Sequence, residues 1–253
     1  MQRLDKVLVE QSLAATRTQA QKLIEAGLVE LMTAGQWRVQ NKASLKLPVD
    51  SVLKVGEHPD MRYVSRAGLK LEGALALSGI DVVGMAAIDI GQSTGGFTDC
   101  LLKHGAAQVT GIEVGRDQLV ASLKVDERVV CLEGVNARHL TTDVLRYAPA
   151  GFDIAVMDVS FISQTLILPN IAQLLTPNGY LITLIKPQFE LGPEALGKGG
   201  LVQDTRLYKG LEEKFKTLLN TLGFTVLFYT PSAIKGGDGN KEFLAVCKLT
   251  LVK

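Results

Sequence analysis

Apolar and polar residues alternate along this chain in two different rhythms. In RLDKVLVEQ, Leu4, Val7 and Leu8 recur at helical spacing, which predicts a short amphipathic helix. Thr16 is placed to cap a second helix, RTQAQKLIEA, closed by Gly27. Short strand-like pieces follow: LVELM, a turn at TAGQ, WRVQ and SVLKV. Residues 1–60 thus read as a small α+β module, near the lower size limit for independent folding.

After HPDMRYV the rhythm changes. Ser65 is expected to cap a helix, RAGLKLEGALAL, ended by Ser78-Gly79. Strands and helices then alternate. AAIDI is a strand and TGGFTDCLLKHG a helix. QVTGIEV is a strand reaching Glu113, ERVVCLEG one reaching Glu133, and FDIAVMDV one reaching Asp158. ISQTLILPNIAQLL is predicted helical, GYLITLIKP a strand reaching Lys186, and TRLYKGLEEKFKTLLNTLG a long helix. FTVLFYTP and KEFLAVCKL are the last strands, joined by AIKGGDGN. Alternation of this kind predicts an α/β unit with a mostly parallel sheet covered on both faces. The last two strands have no helix between them and should run antiparallel. The expected organisation is a domain over 1–60, a linker over 61–64 and a second domain over 65–253.

Composition narrows the class. The 253 residues are 47% apolar and 21% charged, as expected of a globular core. Net charge is +1, and residues 1–62 carry nine Lys/Arg against seven Asp/Glu, so no global polyanion signal exists. Arg3, Lys6, Arg17 and Lys22 nevertheless fall on or beside the two N-terminal helices, where a basic face would suit a phosphate backbone or simply be solvated. Cys100, Cys131 and Cys247 lack ligand spacing, so neither disulfides nor zinc are indicated. The N-terminus has no signal-peptide apolar region, and no membrane-spanning run is visible. A soluble, cytoplasmic protein is expected, a monomer by default.

The chemistry concentrates at DIGQSTGGFTDC. GQSTG matches the G-x-S-x-G pattern of a nucleophilic serine, which would make Ser93 reactive. Such a hydrolase needs a later acid and histidine; only His104 and His139 follow, and no HGG-type oxyanion segment occurs. The better reading is a cofactor turn after the first strand. Gly91 permits positive φ, Gly95 and Gly96 let a ligand approach the backbone, and the following helix offers its N-terminal N–H groups. Glu113, about twenty residues on, can accept from two ribose hydroxyls. The turn departs from G-x-G-x-x-G, which disfavours a dinucleotide.

SRAGLKL, DIGQSTGGFTDCLL, EGVNAR, MDVSFIS, LIKPQFE and GLVQD, in that order, resemble the TlyA/hemolysin A family of FtsJ-like ribose methyltransferases. RLDKVLVEQSLAATRTQAQKLIEAGLVEL resembles the S-four-like RNA-binding domain. The resemblance covers nearly the whole chain. It implies a Rossmann-like, seven-stranded sheet with an antiparallel last hairpin, S-adenosyl-L-methionine as cofactor, and 2′-O-methylation of ribose, often of cytidine, in ribosomal RNA or ribosomal subunits. It also implies a Lys-Asp-Lys-Glu tetrad: Lys70 from SRAGLK, Asp158 from MDVSF, Lys186 from LIKPQFE and Glu242 from NKEFL. Gly91, Ser93, Gly95, Gly96, Phe97, Glu113, Asn136 and Asp158 are the implied cofactor residues, with Glu133 near the adenine. Two departures, Gln92 facing the cofactor turn and Ala67 in SRAG, read as tuning.

A ribose hydroxyl needs a base within hydrogen-bond reach as it attacks the methyl carbon. Lys186 is the expected base, oriented by Asp158, while Lys70 and Glu242 position the ribose and balance charge. Taken singly, such residues are more often strand-end ion pairs. Asn136 could equally make a local turn bond, and Phe97 could serve core packing. Arg66, with Arg3, Lys6, Arg17 and Lys22, is expected to meet RNA; Lys198 and Lys235, in glycine-rich loops, are further candidate phosphate contacts. A non-catalytic RNA-binding factor and a membrane-lytic protein, suggested by the hemolysin name, are the competing classes.

Overall fold

A computed structural model describes residues 1–14, 16–56, 62–236 and 239–250. Met61 of the expected linker, and Gly237 and Asp238 of the loop before the last strand, lie outside the described residues. The chain divides into two compact units, Met1–Val64 and Ser65–Lys253.

The first unit opens with β1 (Gln2–Arg3) and α1 (Leu4–Glu10), followed by α2 (Arg17–Glu25). Thr16 caps α2 by accepting from the Gln19 amide at 3.2 Å, a bond worth about 1 kcal/mol. Next come β2 (Val29–Thr33), β3 (Gln36–Val39), β4 (Lys46–Leu47) and β5 (Leu53–Val55). Ala34 (φ 51°) and Gly35 (φ 78°) form the two-residue turn that pairs β2 with β3, Thr33 opposite Gln36. The sheet runs β3-β2-β5, and a separate ribbon joins β1 to β4. Those two-residue strands were not expected, because two residues carry no period. Leu4, Val7 and Leu8 of α1 are fully buried and pack with Leu23 and Ile24 of α2.

The second unit begins with α3 (Ala67–Ser78), closed by Gly79 at φ 67°. Ser65 does not cap it: the boundary residue is Arg66, without a side-chain bond, and Ser65 contributes its carbonyl to the Gly68 amide. Then come β6 (Ala86–Ile90), α4 (Gly96–Lys103), β7 (Gln108–Glu113), α5 (Ala121–Lys124), β8 (Val129–Glu133), β9 (Phe152–Met157) and β10 (Leu175–Ile185). α6 (Pro187–Glu190), α7 (Leu207–Thr221), β11 (Phe224–Pro231) and β12 (Phe243–Leu249) complete it. Strand order is β11-β12-β10-β9-β6-β7-β8. β6 to β10 pair in parallel, and β12 is antiparallel to both its neighbours. This is a Rossmann-like α/β sheet of seven strands with an antiparallel final hairpin.

Residues 162–175 do not form the predicted α-helix. Three short 3₁₀ turns, Gln164–Leu166, Leu168–Asn170 and Ala172–Leu174, take its place. Pro169 in the middle lacks an N–H, and Thr165, Ile167 and Ile171 are β-branched. Their apolar side chains still reach the core, where Ile167, Leu168, Ile171 and Leu174 join Leu211, Phe215 and Leu219 of α7. Ile88 and Ile90 of β6 face that layer. Asp89, between them, points to the other face, where Thr98 of α4 meets it. Among the described residues, no helix is long and apolar enough to cross a membrane.

Candidate active site

Parallel strands deliver their carboxyl ends to one edge of the sheet, and the crevice there is where such folds bind ligands. Gly91 follows β6, Glu113 ends β7, Asp158 follows β9 and Lys186 follows β10. A cleft of 560 Å³ opens at this edge, bordered by Gly91, Ser93, Glu113, Asn136 and Asp158. A recess of 160 Å³ adjoins it, sharing Gly91, Ser93, Asp158 and Ser160 and adding Ser65 and Lys186.

The glycine turn is held by the next strand. Gly91 N–H and Gln92 N–H both donate to the Ile112 carbonyl, at 2.9 and 3.2 Å. Ser93, at φ 48°, donates its amide to Glu113 Oε2 at 2.8 Å, and Gly115 donates to Oε1 at 2.7 Å. Gly91 has φ 83°, and a Cβ there would lie 2.6 Å from the Asp158 carbonyl oxygen. Its missing side chain therefore lets two strand ends approach.

Gly95 and Gly96 also make room inside the protein, and Gly96 borders the recess. A Cβ on Gly95 would strike Leu119 and Leu123, and one on Gly96 would strike Ser65 Oγ and Ala67 Cβ. Both serve internal packing, Gly96 by bringing α4 against α3. Gln92 also turns inward. It is 3% exposed, covers the bare Cα of Gly111 and donates to Thr98 Oγ1 at 2.9 Å. Phe97 is buried, yet borders the recess. Asn136 accepts from the Arg138 amide at 3.0 Å while lining the cleft, so it makes the local turn bond. Glu133 accepts from the Asp117 amide at 2.8 Å.

The four tetrad positions form two lysine–carboxylate pairs. Lys70 Nζ donates to Glu242 Oε2 at 2.5 Å, and both residues are buried. Lys186 Nζ lies 2.6 Å from Asp158 Oδ1, an ion pair without hydrogen-bond angles, and donates to Ser160 Oγ at 2.8 Å. Helix α3 supplies Lys70, and the start of β12 supplies the acid that meets it.

Several site residues carry no clear mark in the sequence. Ser160 aims Lys186. Ile112, Val114, Val135, Ala137, Ile162 and Ile167 give the cleft an apolar lining, and apolar residues after strands look like any core. Phe161 is 90% exposed at φ 63°, its ring 5.1 Å from that of Phe189. Asp89 was legible as an acid before the turn but was passed over. It is 1% exposed, and Oδ2 accepts from Thr98 at 2.7 Å while Oδ1 has no hydrogen-bond partner. Burial, opposed by the Thr98 bond and reinforced by the charge of Asp158, raises its pKa to about 7.

The N-terminal basic residues divide. Arg3 and Arg17 both pair with Asp5 Oδ2 at 3.0 Å, and Gln21 donates to the same oxygen at 2.8 Å. Asp5 is fully buried, and its bond from Arg3 first, with those from Gln21 and Arg17, holds its carboxyl well below the usual range. Two expected RNA contacts are thus also structural, while Lys6, Lys22 and Arg66 are exposed, as are Lys198 and Lys235.

Residues 63–249 match the FtsJ-like methyltransferase family. The chain belongs to that family. Residues 2–31 match the S4 domain. Hemolysin A of Brachyspira hyodysenteriae is 40% identical over 96% of this chain and 98% of its own. The 16S/23S rRNA (cytidine-2′-O)-methyltransferase TlyA of Mycobacterium tuberculosis is 37% identical over 95% of this chain and 87% of its own. A solved Streptococcus thermophilus structure with a provisional hemolysin name superposes with a TM-score of 0.74 at 40% identity, covering 98% of this chain and 88% of that one. The methyltransferase match thus falls on the unit that holds the cleft.

Proposed function

We propose that this chain transfers a methyl group from S-adenosyl-L-methionine to the 2′-hydroxyl of a cytidine ribose in ribosomal RNA. The observation that carries this reading is the pair of lysine–carboxylate contacts, Lys186 with Asp158 and Lys70 with Glu242, the first bordering a cleft of 560 Å³. The relative named for cytidine 2′-O-methylation supports the substrate. The volume falls within the usual range for small-molecule sites.

The cofactor supplies an electrophilic methyl carbon when bound. Glu113 has one lone-pair site left on each oxygen after bonding Ser93 and Gly115, enough to accept from two ribose hydroxyls. Asn136, which borders the cleft, would meet the adenine, and the apolar walls would exclude water. Lys186, once its ammonium has released a proton to solvent, accepts the proton of the attacking hydroxyl as the neutral amine, its Nζ aimed by Asp158 and Ser160. Lys70 and Glu242, buried against each other, position the ribose and balance charge. Unit 1–64 is assigned as the RNA-binding domain, with Lys6 and Lys22 on its helices; Arg66, exposed at the start of the second unit, is a further RNA contact of that unit. The protein acts as a cytoplasmic monomer.

Labelled S-adenosyl-L-methionine, presented with unmodified small and large ribosomal subunits, tests this. Label is expected on a 2′-O-methylcytidine, and it is lost in Lys186→Ala while cofactor binding persists. No label on either subunit, with the cofactor bound, would favour a factor that binds RNA without methylating it.

A further inference from the structure

The sheet β3-β2-β5 of the N-terminal unit has two unlike faces. Val29, Leu31, Leu53 and Val55 turn toward α1 and α2 and join their core. Side chains alternate along a strand, so Glu30, Met32, Trp37, Val39 and Lys54 share the opposite face. The register sets Trp37 beside Met32, and Val39 and Lys54 on either side of Glu30. Val52 adjoins Met32, whose amide donates to its carbonyl. Trp37 is 40% exposed, Val39 52% and Val52 60%. A lone exposed apolar residue is ordinary. Here an indole and aliphatic neighbours form one open surface, with Lys54 Nζ 5.8 Å from the ring centroid.

Charge selects the occupant. Between Glu30 and Asp50 the chain has no acidic residue, whereas Arg38, Lys42 and Lys46 occur there, all exposed. The carboxylate of Glu30 is already paired, with Lys54 at 3.3 Å. A partner for this surface should offer flat apolar rings together with negative charge, which is the chemistry of unpaired RNA. We propose that this sheet face is a stacking platform for an unpaired base of the RNA substrate. Trp37 lies under the base, and Lys54, on the same face, meets a flanking phosphate. The platform is separate from the basic residues of α1 and α2. It rests on the reading of the protein as an RNA methyltransferase.

Trp37 is the single tryptophan of the chain, so intrinsic indole fluorescence reports on this face alone. The full-length protein is titrated with a short oligocytidylate and with a fully paired RNA duplex, binding being followed in parallel by anisotropy of the labelled RNA. The oligocytidylate should quench Trp37 and the duplex should not. Trp37→Ala should weaken oligocytidylate binding roughly 5- to 100-fold, with Trp37→Tyr restoring most of it. An unchanged far-UV circular dichroism spectrum and the same two-dimensional amide NMR pattern for residues 1–64 in Trp37→Ala check that the first unit is still folded. Oligocytidylate binding without quenching, together with unaltered affinity in Trp37→Ala, would overturn the platform. So would quenching by RNA-free ribosomal proteins alone, which would assign the face to a protein. Methyl transfer to ribosomal subunits, measured on the same preparation, separates the two claims. Transfer without quenching sinks only the platform; neither transfer nor RNA binding sinks both.

Discussion

The Ser93 amide donates to Glu113 Oε2 at 2.8 Å, which ties the glycine turn after β6 to the end of β7. One carboxylate therefore braces the turn and faces the proposed cofactor ribose. Glu113→Ala should remove both roles and weaken S-adenosylhomocysteine binding roughly tenfold or more, since a hydrogen bond to a charged group contributes about 1.5–3 kcal/mol. Calorimetric titration measures this directly. An unchanged Kd would take Glu113 out of the cofactor site.

Lys70 and Glu242 are buried against each other, so removing one partner strands a charge. Lys70→Met or Glu242→Leu alone should cost about 3–5 kcal/mol in urea denaturation. The double variant should regain most of that loss yet transfer no methyl group. Recovered turnover in the double variant would show the pair to be purely structural.

Asp89 gives stability a pH dependence of defined sign. Its folded pKa, about 7, is raised above that of the unfolded chain, so the folded state holds the proton more tightly. That contribution is fully present below about pH 4 and is lost as pH rises through about 7, at no more than about 1.4 kcal/mol per unit. Asp89→Asn should flatten this part of the stability profile. Denaturation midpoints of both proteins at pH 5 and pH 8 provide the check; parallel losses would refute the assignment.

Phe161 follows Asp158 and Ser160 and is 90% exposed beside Phe189, so it holds no core together. Phe161→Ala should change stability by no more than about 0.5 kcal/mol. If the ring supports the RNA substrate, the variant should raise KM for ribosomal subunits and leave cofactor affinity alone. An unaltered KM would make the exposed ring incidental.

The periodic elements were legible because their signals are local. AAIDI, QVTGIEV and FDIAVMDV became β6, β7 and β9 within about two residues at either end, and Thr16 caps α2. Residues 162–175 misled because their apolar content suits a helix, while Pro169 and the β-branched residues break it into short turns. Gly95 and Gly96 were read as making room for a ligand. What crowds them, Leu119, Leu123 and Ser65, comes from elsewhere in the chain, and no local pattern reveals it. Arg3 and Arg17 were read by charge alone, and their shared, buried Asp5 was overlooked.

By itself, the sequence determined the alternation that builds a parallel sheet, the resemblance that orders the motifs, and the placing of Glu113, Asp158 and Lys186 at strand ends. Those follow from side-chain periodicity, which is encoded over a few residues. Tertiary structure alone decided which lysine meets which acid. Lys70 and Glu242 are far apart in the chain, and only the crossing of α3 with the start of β12 makes them neighbours at 2.5 Å. It also decided that Gln92 turns inward over Gly111, because a side chain's direction depends on the space its non-local neighbours leave.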